Sequence, residues 1–382
     1  MDDRPQAEPL IVLVQASTGM RGPHRTVSEF ATWLAPRRDV VLAAPAGWVL
    51  KRTLRAVPEI RTLTLPGDRR ANRAGSVRAL MTLARDEDRP VIFHANGLSA
   101  LNLVAPAALR HRSPVLVHFH AFELEARQRV ATEALLKMGV PARFHAVSDF
   151  ARGLLEGTGI RRAVGSVLPN PFDASIFPTE HEPGTGPFRV GWVGGSDPRK
   201  GLRRVVEMAA ACADLDIEWR LFGVTGDRYD DYVATCRAAA ERHGVADRLT
   251  WMGSLTEPGR IYGALDAVVV ASELESFCRV AVEAMTSGLP VVATRIPGLS
   301  EVVWDGVSGL LFEPEDPAEG AAHVRRLATD EPLRASLAAG ALAGSRRFEI
   351  GRVGPQLERL YAQLAPSGTA RTSSPQPEVV AR

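Results

Sequence analysis

Short apolar segments alternate with helical patterns along this 382-residue chain, and the alternating pattern occurs in two successive sets. The segments between the apolar runs of the first half are long enough to carry the helical crossovers that parallel strands need. The pattern therefore predicts a parallel sheet with helices on both faces. The predicted strands are LIVLVQAS at 10–17, VVLAAP at 40–45, VIFHANG at 91–97, PVLVHFH at 114–120 and RFHAVS at 143–148.

The same alternation starts again after a segment that is rich in proline and glycine. Residues 170–188 contain four prolines and two glycines, which is typical of a linker. The chain is therefore predicted to be an α/β protein with two Rossmann-like domains of similar size, residues 1–172 and 188–347. The second set of predicted strands is FRVGWVG at 188–194, IEWRLFGV at 217–224, LTWMGS at 249–254, DAVVVAS at 266–272 and PVVAT at 290–294.

The ends of the predicted strands indicate where a ligand would bind. Open α/β sheets bind ligands at the carboxyl ends of their strands, so two facing domains would share one cleft there. After the second domain the pattern predicts a last helix at 347–365. The tail at 366–382 is polar and rich in proline and serine, and it is predicted to be disordered.

Composition excludes several classes of protein. The 46 basic and 44 acidic residues give a net charge of +2, so nucleic acid is not an expected partner. Cys212, Cys236 and Cys278 form no CxxC pair, which argues against a disulfide framework or structural zinc and for a reducing compartment. His118 and His120 have no further ligands at fixed spacing, so no metal is predicted. No signal peptide is recognisable and no apolar run reaches the ~18 residues of a membrane span, so a cytoplasmic location is expected.

One basic and apolar segment leaves a question about membranes open. WVLKRTLR at 48–55 could rest on an anionic membrane surface. It equally fits an ordinary amphipathic helix with solvated arginines. The oligomeric state is not predicted.

The turn after the first strand does not fit a dinucleotide site. A glycine fingerprint would require glycine at position 17, where the chain has Ser17. The second strand ends in Ala-Ala-Pro and offers no acidic residue for a ribose, so a nicotinamide dehydrogenase is disfavoured. The loop 17–22 is either a plain tight turn or a small-residue loop that lets Gly22 approach a phosphate or a sugar.

The segment GGSDPRKGLRR at 194–204 follows a predicted strand and opens a helix. It is not a Walker A loop, because Lys200 stands between Arg199 and Gly201. Backbone N–H groups, the helix dipole and the Lys200 ammonium could nevertheless face one anion. The alternative is a solvated basic helix start.

Two glutamates flank a short apolar run in ELESFCRVAVEAM at 273–285. Glu275 and Glu283 are eight residues apart, so they need not lie on one helix face, and they would be about 12 Å apart along the axis if the turn were helical too. That is too far for a glycosidase pair, which needs about 5–10 Å. The spacing suits two parts of one elongated ligand, with the N–H groups of residues 278–280 facing a phosphate between them. The alternative is a solvated helix face.

Together these segments resemble the retaining GT-B glycosyltransferases of the family 4 type. ELESFCRVAVEAM resembles the E-x7-E motif of that family, and GSDPRKG resembles its phosphate loop. HAVSDFARGLL at 145–155 and VLPNPFDASIF at 167–177 resemble the signatures that precede its linker. The segment 288–317 resembles its proline-glycine-glutamate region. The motifs occur in the order of the family over residues 9–365.

The resemblance implies a metal-independent enzyme that moves a sugar from a nucleoside-diphosphate sugar to an acceptor hydroxyl of a glycan, a lipid or a small molecule. It implies that the helix at 348–365 crosses back to the N-terminal domain, and that no cofactor is needed beyond the donor substrate. Lys200 would contact the donor diphosphate, Glu275 the donor sugar and Glu283 the ribose. His120, with His118 as the fallback, would lie near the reacting sugar. The remaining implied donor-site residues are Gly22, Gly194, Gly195, Arg199, Ser276, Phe277, Cys278, Arg279 and Val280.

The chain departs from the family at three positions. Gly195 stands where the family often has arginine. Either Arg199 or Arg203 supplies the missing charge or diphosphate binding is weak, and we favour Arg199. Ser276 and Cys278 replace the two glycines that usually flank the phenylalanine. A cysteine at a helix N-terminus is expected to have a depressed thiol pKa and to react with alkylating agents, unless it is simply a small buried residue.

Two other functions remain open from the sequence. The missing arginine allows a non-catalytic binder of nucleotide sugars. A nucleotide-sugar epimerase could also use two Rossmann-like domains, and it would convert the donor without an acceptor. The donor sugar, its base and the acceptor are not specified by the sequence.

Overall fold

A computed structural model describes residues 8–19, 22–67, 70–178, 186–224, 229–254 and 257–365. The chain divides into two compact units, each with one parallel sheet. The first unit runs to His118 and includes Val130–Phe144 and the chain from Pro355 onward. The second unit consists of Phe119–Arg129 and His145–Gly354. The segments 119–129 and 145–172, which lie inside the predicted N-terminal range 1–172, thus group with the second unit.

The first sheet has six strands in the order β3-β2-β1-β4-β5-β6. This is the order of a doubly wound nucleotide-binding sheet, and its described pairings are parallel. The central strands are buried along their whole length, as parallel strands covered on both faces must be. The strands are β1 (Leu10–Val14), β2 (Val40–Pro45), β3 (Arg61–Leu65), β4 (Val91–Asn96), β5 (Val115–Phe119) and β6 (Ala142–Ala146).

The second sheet repeats the same winding in the order β12-β11-β10-β7-β8-β9. Its core contains the fully buried indoles of Trp192 and Trp219 together with Phe312. The two predicted Rossmann-like sheets are thereby confirmed. The strands are β7 (Phe188–Val193), β8 (Ile217–Phe222), β9 (Leu249–Gly253), β10 (Ala267–Val270), β11 (Val291–Thr294) and β12 (Gly309–Phe312).

Fourteen helices are found in the described part of the chain, mostly as crossovers between parallel strands. Those around the first sheet are α1 (Gly22–Leu34), α2 (Trp48–Ala56), α3 (Arg70–Asp86), α4 (Leu98–His111) and α5 (Ala126–Lys137). The next are α6 (Asp149–Glu156), α7 (Leu202–Ala211), α8 (Asp230–Arg242), α9 (Pro258–Tyr262) and α10 (Arg279–Thr286). The last are α11 (Pro297–Ser300), α12 (Pro317–Thr329), α13 (Glu331–Ser345) and α14 (Ile350–Leu364).

Two strands were not predicted from the sequence, and both lie at sheet edges. Strand β3 has the sequence RTLTL and is mostly exposed, so it lacks the apolar run of a buried strand. Strand β12 is only four residues long, although it is fully buried. Edge strands pair on one side only, so they tolerate polar residues and short lengths that hide them from a hydrophobicity search.

The last helix joins the two units in the chain. Helix α14 begins in the second unit at Ile350, and from Pro355 onward it belongs to the first. In the first unit the fully buried hydroxyl of Tyr361 lies 2.7 Å from Nδ1 of His94 on β4. This bond fastens the helix to the sheet. The tail at 366–382, predicted to be disordered, lies outside the described residues.

Helix α2 carries the segment for which a membrane contact was considered. Val49 and Leu50 are buried, and the Thr53 and Ser28 hydroxyls are 2.8 Å apart between α2 and α1. The apolar face of the helix is thus largely used inside the first unit. Across the described ranges, no helix is long and apolar enough to cross a membrane.

Candidate functional site

Two loops at the carboxyl edge of the second sheet carry most of the predicted donor-site residues. Strand β7 ends at Val193 and leads into the loop 194–201, and β10 ends at Val270 and leads into the loop 271–278. The two strands are parallel neighbours, with Trp192 opposite Val269, so their loops emerge side by side. The N–H of Glu273 donates to the Arg199 carbonyl at 2.8 Å and ties the loops together.

An ion pair joins the two loops at their centre. Lys200 Nζ donates to Glu275 Oε1 at 2.5 Å, and the Ser272 hydroxyl donates to the same oxygen at 3.0 Å. Burial acts to lower the pKa of Lys200, but the charge and hydrogen bond of Glu275, together with other acidic neighbours such as Asp197, outweigh burial and raise the pKa. Lys200 therefore stays protonated. A small pocket between the loops is lined by both side chains and by Cys278 and Val280.

Backbone contacts fix the position of Lys200. The Trp192 indole N–H donates to the Lys200 carbonyl at 3.0 Å. The same indole ring fills the space where Gly194 would carry a Cβ, which would lie 2.2 Å from it. Gly201 follows with φ +73°, and a Cβ there would lie 1.9 Å from the Ala271 carbonyl oxygen. The glycines of this loop thus allow the strand, the indole and the neighbouring loop to meet around Lys200.

The position of the missing family arginine is occupied by a glycine that the backbone requires. Gly195 has φ +76°, and it packs against Gly223, whose φ is +85°. An arginine at 195 would need the left-handed conformation that only glycine adopts without strain. Arg199, expected to supply the charge, pairs with Asp197 in the loop. The Arg199 guanidinium also lies 5.0 Å above the centre of the Phe122 ring.

The turn after Glu275 is held from two sides. The Ser276 hydroxyl donates to the His120 carbonyl at 2.6 Å, and Phe277 packs edge to face against Phe348 with ring centres 5.1 Å apart. A Cβ on Gly298, in α11, would lie 2.2 Å from the Glu275 carbonyl oxygen. The turn therefore has little room to shift.

Cys278 contradicts one expectation from the sequence. It is 6% exposed, and burial, with the nearby charge of Glu275, raises the pKa of its thiol instead of lowering it. Burial in a low dielectric opposes thiolate formation, and here this effect exceeds the attraction of Lys200 and of the helix N-terminus. Cys278 also has φ +66°, a left-handed conformation that suits the glycine found there in the family.

We expect the thiols of the native protein to be unreactive. All three cysteines are buried, and burial raises the pKa of Cys212 to about 11 and that of Cys236 as well. Titration with Ellman's reagent at pH 8 should detect no fast thiol in the native protein and three thiols in denaturant. Reaction of Cys278 should be at least about tenfold slower than that of a free cysteine. A fast thiol that disappears in a Cys278→Ser variant would contradict this expectation.

Glu283, the predicted ribose ligand, lies in a buried network. It is 4% exposed, and the Tyr262 hydroxyl donates to its Oε2 at 2.9 Å. Arg279 Nε lies 3.6 Å from Glu283 Oε1. The Arg279 guanidinium lies 4.0 Å from the centre of the Phe172 ring and donates to the Pro171 carbonyl at 3.3 Å. The second glutamate of the motif therefore connects α10 to α9 and to the segment at 170–172.

Replacing Tyr262 with phenylalanine tests whether this network stabilises the second unit. A buried carboxylate that loses one donor is expected to cost about 1.5–3 kcal/mol in the free energy of unfolding. Tyr232→Phe is the matched control, because its half-buried hydroxyl accepts a bond from the uncharged backbone N–H of Arg203. Urea unfolding should show a loss of about 1 kcal/mol or less for the control. Equal losses for the two variants would show that Glu283 does not depend on Tyr262.

The two candidate histidines lie in different surroundings. His118 is fully buried in the first unit, with its ring centre 5.7 Å from that of Phe30 and 5.9 Å from that of His94. His120 is partly exposed just after β5, and its carbonyl is held by Ser276. Of the two, His120 is the one whose backbone is bonded to the turn that carries Glu275.

A polar cluster at the carboxyl ends of β1 and β4 in the first sheet was not predicted. Asn96 Nδ2 donates to Gln15 Oε1 at 2.5 Å and to the Pro23 carbonyl at 2.8 Å. The Ser17 hydroxyl lies 3.2 Å from Nε2 of His24. Gly22, a predicted site residue, begins α1 directly before Pro23 and His24. A polar residue that ends an apolar run, as in LIVLVQ and VIFHAN, was the available signal.

No group of three or more histidine, cysteine, aspartate or glutamate residues could hold a metal ion in the ranges that the structure covers.

Both halves of the chain match known family models. Residues 20–176 match the model described as Glycosyltransferase Family 4, and residues 175–342 match the model described as Glycosyl transferases group 1. Each half of the chain therefore matches the model of one glycosyltransferase domain. The two matches overlap at residues 175–176 and together run from residue 20 to residue 342.

Curated relatives match part of the chain. A D-inositol 3-phosphate glycosyltransferase of Xylanimonas cellulosilytica is 40% identical over 142 residues, which are 36% of this chain and 34% of the relative. Its counterpart from Stackebrandtia nassauensis is 37% identical over 181 residues, 45% of this chain and 41% of the relative. The chain thus spans less than half the length of these relatives.

Solved structures share the whole fold. HepE of Anabaena in complex with UDP-glucose has a TM-score of 0.80 at 22% identity, over 93% of this chain and all of that chain. A glycosyltransferase of Rickettsia africae has a TM-score of 0.81 at 15% identity, over 94% of this chain and 98% of the other. These likenesses confirm the GT-B fold.

Proposed function

We propose that this protein is a retaining glycosyltransferase that uses a nucleoside-diphosphate sugar. The observation that carries the proposal is the Lys200–Glu275 pair at the carboxyl edge of the second sheet, in front of the N-terminus of α10. One cation, one carboxylate and the backbone N–H groups of a helix start lie within two adjoining loops. Such a site offers partners for a diphosphate and for sugar hydroxyls at once.

The chemistry requires help for a departing diphosphate. Its negative charge grows as the bond to the sugar breaks, and Lys200 with the N–H groups of Arg279 and Val280 supplies positive potential there. We infer that these fixed groups make a metal ion unnecessary. Glu275 would then release Lys200 to the diphosphate and accept hydrogen bonds from the donor sugar.

Retention of the anomeric configuration is proposed from the resemblance to retaining glycosyltransferases. We propose front-face attack, in which the leaving diphosphate takes the proton of the acceptor hydroxyl. His120 is the proposed neighbour of the reacting sugar, and its backbone bond to Ser276 supports this placement. Glu283 would meet the ribose by exchanging its contact with Arg279.

The donor and the acceptor are proposed from the relatives. HepE was solved with UDP-glucose, which makes UDP sugars the first donors to test. The curated relatives are named for D-inositol 3-phosphate, which makes a polyol phosphate the first acceptor to test. A thermal-shift panel of nucleotide sugars should show the donor as the compound that raises the melting temperature most.

The reaction can be tested without knowing the acceptor. With the stabilising donor and water alone, slow release of free sugar is expected, and proton NMR should show the α-anomer first when the donor is α-linked. EDTA should leave the rate unchanged. Release of the β-anomer would overturn retention, and an isomerised donor would indicate an epimerase.

A second candidate function is a non-catalytic binder of nucleotide sugars. It is favoured by Gly195, which leaves the loop without the usual arginine, and by the pairing of Arg199 with Asp197. Binding of a nucleotide sugar with no release of sugar, in the presence or absence of polyol phosphates, would support this alternative.

A further inference from the structure

The cations of the loop 194–201 are both engaged with carboxylates of the protein. Arg199 donates from Nε to Asp197 Oδ1 at 3.1 Å and from an NH2 group to Oδ2 at 2.7 Å. Lys200 next to it donates to Glu275. The two-pronged contact of Arg199 has the geometry with which arginine also binds phosphate. The Asp197 carboxylate therefore occupies the donors that a phosphate would use.

The contact is specified by the local backbone turn and by an aromatic ring beside the guanidinium. Asp197 also accepts the Arg199 N–H at 3.1 Å and so caps the short turn Pro198–Lys200. The Phe122 ring lies 5.0 Å from the guanidinium and limits where the side chain can go. The hydrogen bond from Arg199 lowers the pKa of Asp197, so the carboxylate is ionised at neutral pH.

We propose that Asp197 is a positioning residue that lowers the affinity of this loop for the donor diphosphate by holding Arg199 in an internal ion pair. The inference rests on the proposed function, because it assigns the anion to the same site. It also bears on Gly195, because the chain lacks the family arginine there and holds Arg199, the expected substitute, in an ion pair with Asp197. Arg199 would contact a donor phosphate only by exchanging the Asp197 carboxylate for it, and in the unaltered protein it stays mostly with Asp197.

The Asp197→Asn variant separates the negative charge of residue 197 from its role in capping the turn Pro198–Lys200. Asparagine keeps one side-chain oxygen for the Arg199 N–H, while the charge and the second acceptor oxygen are lost. The Arg199 side chain is 43% exposed and that of Asp197 23%, so the restraint is that of a partly solvated ion pair. We expect pyrophosphate and UDP to bind roughly three- to fivefold more tightly to Asp197→Asn than to the unaltered protein.

The test is a double-mutant cycle read by calorimetry. Dissociation constants of pyrophosphate and UDP are measured for the unaltered chain, Asp197→Asn, Arg199→Ala and the double variant. Arg199→Ala alone should change affinity by less than about twofold, because its charge is already engaged, and Asp197→Asn should bring no gain in the Arg199→Ala background. With turnover as the second readout, Asp197→Asn should lower the donor KM and leave kcat unchanged, which a merely structural change would not do.

Two outcomes would overturn the inference, and a third would overturn the proposed function alone. Affinity that is unchanged or weaker in Asp197→Asn would show that Arg199 is not restrained. An equal gain in the Arg199→Ala background would show a general effect of charge. Tighter pyrophosphate binding with no binding of any nucleoside diphosphate would uphold Asp197 and refute the proposed function, so the two failures are distinguishable.

Discussion

Lys200→Ala is expected to lower kcat/KM for donor cleavage by about 10²–10³-fold, which is the usual effect of losing one group that stabilises developing negative charge. Lys200 is the cation paired with Glu275 at 2.5 Å, and its raised pKa keeps it charged throughout the neutral range. The pairing with Glu275 stabilises the protonated form of Lys200. Activity that needs the ammonium should therefore be lost only as the pH rises above the ordinary pKa range of a lysine. The measurement is the rate of sugar release at saturating and limiting donor.

The chain offers a matched control for this substitution. It contains only three lysines, and Lys137 is exposed at the end of α5. Lys137→Ala removes the same charge and should keep kcat/KM within about twofold. Glu275→Gln keeps the shape of the partner of Lys200 and should also reduce sugar release strongly. If Lys200→Ala and Lys137→Ala behave alike while both remain folded in urea titrations, the donor site is not in these loops.

Gly201→Ala is expected to destabilise the second unit by about 3–5 kcal/mol. The φ of +73° alone costs an alanine about 1–2 kcal/mol. The larger part comes from the methyl group, which would lie 1.9 Å from the Ala271 carbonyl oxygen and force the loops of β7 and β10 apart. Urea unfolding measures the loss, and nucleotide binding should weaken with it because Lys200 moves with the turn.

Gly244→Ala separates the two contributions. Gly244 follows α8 with φ +67°, nearly the angle of Gly201, and a Cβ there meets no atom within 4 Å. It should therefore cost only about 1–2 kcal/mol, with no effect on nucleotide binding. A Gly201→Ala variant that is no less stable than Gly244→Ala would show that the contact with Ala271 relaxes freely.

Much of the fold was predictable because buried parallel strands consist of nearly continuous apolar residues. The runs at 10–17 and 188–194, for example, correspond to β1 and β7. The edge strands β3 and β12 could not be found in this way, since one is polar and the other very short. Their existence depends on a neighbouring strand that offers a free edge, which is information about topology and not about local sequence.

The candidate site was predictable in its residues and less so in their environments. Lys200 and Glu275 were both named from motifs, and the order of strands explains their contact over 75 positions of sequence. The pKa of Cys278 could not be read from a helix start, because it depends on how deeply the turn is buried. Tyr262 gave no signal at all, as its bond to Glu283 joins two helices whose packing only the folded chain defines.

The close contact between Gly298 and the turn at Glu275 has a consequence for genetics. Its Cα faces the Glu275–Ser276 peptide so closely that any side chain would overlap the Glu275 carbonyl. Variation at 298 would consequently be felt at Glu275, although position 298 is 23 residues away in the chain. In a screen that scores activity alone, a missense change at 298 should resemble a change in the proposed donor site, and a suppressor of it should be sought in the 273–278 turn.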